Sequence, residues 1–208
     1  MTFHAPRTLA VLAAALAVSL VALASGPGLA LGTEPAASDP SPALGESTAD
    51  ADRAARTAVE SCTTIDRPGV YVLAADVENG GGTPISGTCI EITADDVTLD
   101  GEGRSVGGRG VSHTRAVGVV GAGNVTIRDL SMTDWHAGVR VANGSATIRN
   151  VNASGNAYGV RLVDASGSAV ENSTLADNLV GVHADASDVT LADNDLSGNE
   201  IPVERDEE

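Results

Sequence analysis

From Val97 onward, apolar and polar positions alternate in short runs of β type, and the runs recur. Ile127, Ile148, Val170 and Leu191 stand 21, 22 and 21 residues apart. Met132, Ala153, Leu175 and Leu196 form a second apolar column, and Gly138, Gly159, Gly181 and Pro202, each followed by valine, form another. Two polar columns accompany them: Asp129, Asn150, Asn172 and Asp193, then Trp135, Asn156, Asn178 and Asn199. One such row cannot bury its own apolar face, so the rows must stack. Stacking about 4.8 Å apart pairs each strand with those above and below and merges the apolar columns into one core. Alternation turns Val139, Val160, Val182 and Val203 inward and Arg140, Arg161 and His183 outward. The recurrent asparagines are expected as ladders at turns, bonding amide to amide along the axis and tolerating left-handed backbone. A leucine-rich repeat has rows of similar length but needs a dense leucine pattern that this chain lacks. The row from Leu99 to Ile127 spans 28 residues, which places a seven-residue excursion within 107–116 (GGRGVSHTRA).

The N-terminal part follows other rules. After Arg7, residues 9–24 form an uncharged apolar run followed by small residues, the layout of a secretory signal peptide covering residues 1–30. Cleavage after Ala24 fits the small-residue rule and Ala30 is a second site; an uncleaved membrane anchor is the alternative reading. Residues 31–49 lack periodicity and read as a Pro/Ala/Ser linker. Residues 50–59 place acids before Arg53 and Arg56, as the helix macrodipole favours, and predict a short helix capping a repeat domain of about five coils over residues 50–204. Residues 205–208 read as an acidic tail. Export permits a disulfide, so Cys62 and Cys89 are expected to pair, with two buried thiols as the alternative. Closing that loop contributes about 3.5 kcal/mol on the chain-entropy account.

Composition narrows the function. All 12 basic residues are arginine, set against 28 acidic ones for a net charge of −16. A chain this acidic repels a phosphate backbone, which excludes nucleic acid as a partner. The lysine-free acidity resembles that of proteins from extreme halophiles: at 1 M salt the Debye length falls to about 3 Å and self-repulsion is screened, so stability should rise with salt. One Trp, two Tyr and one Phe suffice, since stacked aliphatic residues fill a narrow solenoid.

The pattern resembles the parallel β-helix repeat proteins of the pectin-lyase-like superfamily, particularly exported haloarchaeal members related to NosD and to carbohydrate-binding-and-hydrolysis domains. The residues that carry the resemblance are Ser61-Cys62-Thr63-Thr64-Ile65, Pro68-Gly69-Val70-Tyr71-Val72-Leu73, Cys89-Ile90-Glu91-Ile92, Asp96-Val97-Thr98-Leu99-Asp100-Gly101 with Gly103, Val106 and Gly108, and the rows after them. It implies an all-β, right-handed, single-stranded parallel β-helix over about residues 60–204. It implies no single activity, because the superfamily holds lyases, hydrolases, adhesins and proteins without a known reaction. Its enzymes work on one outer face through paired carboxylates, calcium clusters or an arginine base, generally with more coils and longer loops.

The best candidate site joins the excursion to the next row. Arg109, His113 and Arg115 are the candidate catalytic residues, and Trp135, His136, Arg140 and Arg161 the candidate ligand-binding ones. In this reading a sugar stacks on Trp135 while arginine forks hold a uronate carboxylate; the alternative is a Gly-rich loop that merely offsets negative charge. No triad, acid pair or phosphate loop accompanies these residues. The expected role is a secreted or cell-surface, monomeric, non-catalytic module that binds carbohydrate or another surface polymer. A small polysaccharide lyase or glycoside hydrolase, and a purely structural surface protein, are the alternatives. No cofactor and no metal is expected. Asp193, Asp195 and Ser197 through Glu204 imitate an EF-hand loop without flanking helices, and copper needs clustered soft or imidazole ligands whereas His113, His136, His183 and Met132 are scattered over different rows. Among four Asn-x-Ser/Thr triplets, Asn143 is the expected glycan carrier and Asn172, in a ladder column, is expected to be inaccessible.

Overall fold

A computed structural model describes residues 56–78, 87–185 and 188–206. The signal segment, the linker and residues 50–55 of the expected helix lie outside them. Fifteen strands follow in chain order: β1 (Arg56–Val59), β2 (Thr63–Ile65), β3 (Gly69–Leu73), β4 (Gly87–Ile92), β5 (Val97–Gly107), β6 (Thr114–Val120), β7 (Val125–Thr133), β8 (Ala137–Ala142), β9 (Ala146–Arg149), β10 (Asn152–Ser154), β11 (Tyr158–Val163), β12 (Ala169–Glu171), β13 (Val180–Ala184), β14 (Thr190–Ala192) and β15 (Ile201–Arg205).

The chain deals these strands to two sheets in turn. One runs β1-β3-β5-β7-β9-β12-β14, with β10 beside β7, and the other β2-β4-β6-β8-β11-β13-β15. The ladders are parallel, as in β7 with β9 and β8 with β11. A third, narrower line of pairing joins Val77 to Val106, β7 to β10, and Asn152 through Thr174 to Asp195. The result is a right-handed parallel β-helix. Among the described residues its rungs number seven, where about five were expected. The first turn is compressed, with Arg56 opposite Val70, and the next two are long, with Val70 opposite Thr98 and Thr98 opposite Thr126. The 21-residue rule finds the turn from Leu99 to Ile127 only as a departure and misses the two before it.

The predicted helix is also corrected where it can be seen: residues 56–59 are strand β1, paired with β3. Helix propensity is a weak prior, and a sheet edge offering backbone partners and burial for Val59 overrides it. The Cys62–Cys89 disulfide is formed, linking the residues before β2 to β4 across neighbouring rungs.

The predicted columns become the core. Leu99, Ile127, Ile148 and Val170 are fully buried on one wall, Val117, Val139, Val160 and Val182 on the second, and Val106, Met132, Ala153 and Leu175 on the third. Each such aliphatic side chain contributes about 1.5–3 kcal/mol. The two polar columns divide their roles. Asp129, Asn150, Asn172 and Asp193 take φ of 54, 52, 47 and 54° and turn the chain between the first sheet and the third line. Asn156, Asn178 and Asn199 form the internal ladder: Asn156 Nδ2 donates to Asn178 Oδ1 and Asn178 Nδ2 to Asn199 Oδ1, both at 3.2 Å. The Asn178 amide also donates to the carbonyls of Ala153 and Ala176 at 2.9 and 3.0 Å, so its buried donors are satisfied. Glycine follows this ladder because the rungs close up there. A Cβ on Gly159 would stand 2.6 Å from the Gly181 carbonyl oxygen.

Candidate functional site

Parallel register converts the alternation of the second sheet into outward columns. Glu91 faces Gly118, Gly118 faces Arg140, Arg140 faces Arg161, Arg161 faces His183, and His183 faces Glu204. Arg115 stands beside this column on β6, and Tyr158 opens β11. The excursion between β5 and β6 docks on the neighbouring turn, with Gly108 N–H donating to the Thr133 carbonyl at 2.8 Å and Gly110 N–H to that of Asp134 at 2.7 Å. It delivers His113 in left-handed backbone, φ 64°, which is uncommon outside glycine and redirects the side chain.

His113 thereby stacks on His136, ring centroids 5.4 Å apart and 18° from parallel. His136 meets Tyr158 edge to face at 5.4 Å, and Tyr158 meets His183 at 5.9 Å. The Arg161 guanidinium carbon lies 5.2 Å from the Tyr158 ring centroid, within cation–π range. The rings thus pack against one another and against arginine, and hold the cationic groups in place. Among the described residues Arg115, Arg140 and Arg161 form no ion pair, and the Nε atoms of Arg140 and Arg161 are buried without a hydrogen-bond partner. Burial first, then the charges of Arg140 and Arg161, lower the Arg115 pKa from its ordinary value, against the pull of Glu91. Burial, His113, Arg161 and Arg115 likewise lower that of His136.

Five of the seven candidate residues therefore lie along one strip: His113, Arg115, His136, Arg140 and Arg161. Arg109 is exposed on the excursion and no hydrogen bond or ion pair joins it to the strip. Trp135 is interior. It is 2% exposed, its backbone N–H donates to Asn156 Oδ1 and its indole Nε1 to the Val106 carbonyl, both at 2.9 Å, so it heads the asparagine ladder and offers no face to a sugar. Sharing a column with three asparagines marked it as part of that ladder. Tyr158 and His183 complete the strip; Tyr158, one residue before the recurring glycine, could have been found by placing His136 and Tyr158 next to each other in the rows.

Other motifs resolve simply. The EF-hand imitation follows strand β14, runs through a turn in which Asp195 accepts the Ser197 N–H at 3.0 Å, and ends within strand β15. Asn143 is exposed in the turn after β8, but Asn172 is exposed too, because the buried ladder is the other polar column. Burial therefore does not separate the two triplets.

The alternating parallel sheets, the internal asparagine ladder and the irregular first turns define a β-helix of the pectin-lyase-like kind. Residues 56–207 match the family described as periplasmic copper-binding protein (NosD), and the chain belongs to that family. No curated protein and no solved structure matches it. It is accordingly an exported β-helix repeat protein, of a family whose description is periplasmic.

The described residues do not fit copper. No three His, Cys, Asp or Glu side chains among them converge as a metal would require. Both cysteines are oxidised, Met132 is sealed in the core, and His183 Nδ1 is engaged by Glu204 at 3.0 Å. A ring nitrogen binds a metal in the plane of its ring, so the stacked His113 and His136 cannot point at one ion.

Proposed function

We infer that the protein is a non-catalytic exported module that binds an acidic carbohydrate or other anionic surface polymer along the outer face of the second sheet. The observation that carries this reading is the column of unpaired arginines, Arg140 and Arg161 with Arg115 beside them, held by the ring row on a chain of net charge −16. Arginine forks take carboxylates and sulfate esters two bonds at a time, and guanidinium sheds water more readily than ammonium does. The test is retention on immobilised acidic and neutral polysaccharides in high salt. Selective retention on acidic polymers that Arg140→Gln weakens is the expected result; equal retention on neutral ones, or none on any polymer, overturns it, the latter in favour of a structural surface protein.

A second reading, a small polysaccharide lyase, draws support from the place of Arg115, half-buried on β6 beside the arginine column. Unsaturated-product absorbance during incubation with polyuronates, abolished by Arg115→Ala, would establish that activity.

A further inference from the structure

The outer column of the second sheet changes sign twice along the axis. In register it reads Glu91, Gly118, Arg140, Arg161, His183 and Glu204, with Arg115 flanking Gly118. The cationic stretch thus covers three rungs, β6, β8 and β11, and a carboxylate closes each end. His183 does not lengthen it: Nδ1 faces Glu204 Oε2 at 3.0 Å and Nε2 lies 3.8 Å from Asp206. At Gly118 a Cβ would meet the Thr88 side chain at 2.8 Å, so no side chain separates Glu91 from Arg140 in that column.

This window is unfavourable to the empty protein. Like charges on directly opposed strand positions repel, two buried Nε atoms lack acceptors, and the chain has 28 acidic residues from which none is placed between the arginines. Folding stability gives no reason for the arrangement, whereas an arriving anion does. The same charge balance limits the ligand's reach. In molar salt, where the Debye length is about 3 Å, only groups in contact interact; an anion beyond β11 meets Glu204 and Asp206, and one before β6 meets Glu91.

Resting on the polymer-binding reading above, we propose that the strip is a three-rung site for a linear acidic oligosaccharide lying parallel to the solenoid axis, one anionic group per rung, with Glu91 and Glu204 as its end stops. Successive rungs are about 4.8 Å apart, which sets the required spacing of the anions.

The full chain is titrated calorimetrically in molar salt with uronate oligomers of one to six units, with sulfated oligomers of the same lengths, and with neutral ones. Affinity is expected to rise roughly tenfold with each added acidic unit up to about three and to stay level from four to six. Whichever anion class binds, this plateau supports the site. Glu91→Gln, at a half-buried outward position, should move the plateau one unit longer, and Arg161→Gln should shorten it. An affinity that climbs unbroken to six units, or a plateau that ignores Glu91→Gln, overturns the three-rung footprint while leaving polymer binding in place. Failure of every acidic oligomer and polymer to bind overturns the underlying reading itself.

Discussion

Arg128 and Arg161 both stand on outer faces of one solenoid, and their surroundings treat them oppositely. Arg128, on β7, pairs with Asp100 of the preceding rung and with Asp129 beside it; Asp100 is 5% exposed and also accepts the Glu102 N–H at 3.0 Å. Arg161, on β11, has arginine on one side and histidine on the other, a tyrosine ring beneath it and no carboxylate. The first arginine is part of the structure: its removal leaves a buried charge unpaired. The second adds repulsion that the fold must tolerate. In an acidic chain, a cation left without a partner carries more information about function than a paired one.

The largest effect should come from the paired side. Arg128→Ala is expected to cost about 2–4 kcal/mol in denaturant unfolding, because Asp100 then loses its counter-charge. Arg140→Gln with Arg161→Gln should instead leave stability unchanged or slightly higher in dilute buffer, while lowering retention on an acidic polymer by roughly tenfold or more. A double variant that melts as badly as Arg128→Ala would erase the distinction between the two arginines.

Acidity should sharpen the contrast. Burial and neighbouring cations lower the His136 pKa, so the unfolded chain takes up this proton first. The stability this group contributes is present above the ordinary histidine range and is lost as pH falls through its lowered folded value. A bound polyanion favours the charged ring, so retention should strengthen over the interval in which the free protein weakens. His136→Asn should flatten both trends, measured as melting temperature and retention against pH. The smallest change is expected from Tyr158→Leu, which removes the ring under Arg161 and should weaken retention only a few-fold, in line with about 0.5–1 kcal/mol for an exposed cation–π contact.

The repeating part of this molecule was legible because each column obeys one physical demand. Ile127, Ile148 and Val170 are buried in register, and Asn156, Asn178 and Asn199 bond along the axis. The N-terminal turns were harder. Leu99 extends the Ile127 column across one 28-residue step, but the 14-residue step from Arg56 to Val70 and the 28-residue step from Val70 to Thr98 break the period, and the helix-favouring residues up to Val59 point to the wrong local structure. Five strip residues could be named from the rows, since alternation alone sends Arg140 and Arg161 outward. The ring size of Trp135 invites a binding role, but its position in the asparagine column makes it interior. The ring row itself depends on His113 in left-handed backbone, which no periodicity reveals.

The rung spacing has a dynamic consequence. In the regular part, ladder bonds tie a residue to one 21 or 22 positions away, as Trp135 to Asn156 and Asn156 to Asn178. Cooperativity is therefore transmitted from neighbour to neighbour, as in a one-dimensional chain of coupled units. Amide exchange should be slowest around the rungs that hold Trp135, Ile148 and Val160 and should quicken rung by rung towards β15, whose outer edge has no further strand to protect it among the described residues. The arginine strip lies in the slow-exchanging middle of that gradient, on the rungs least given to fraying.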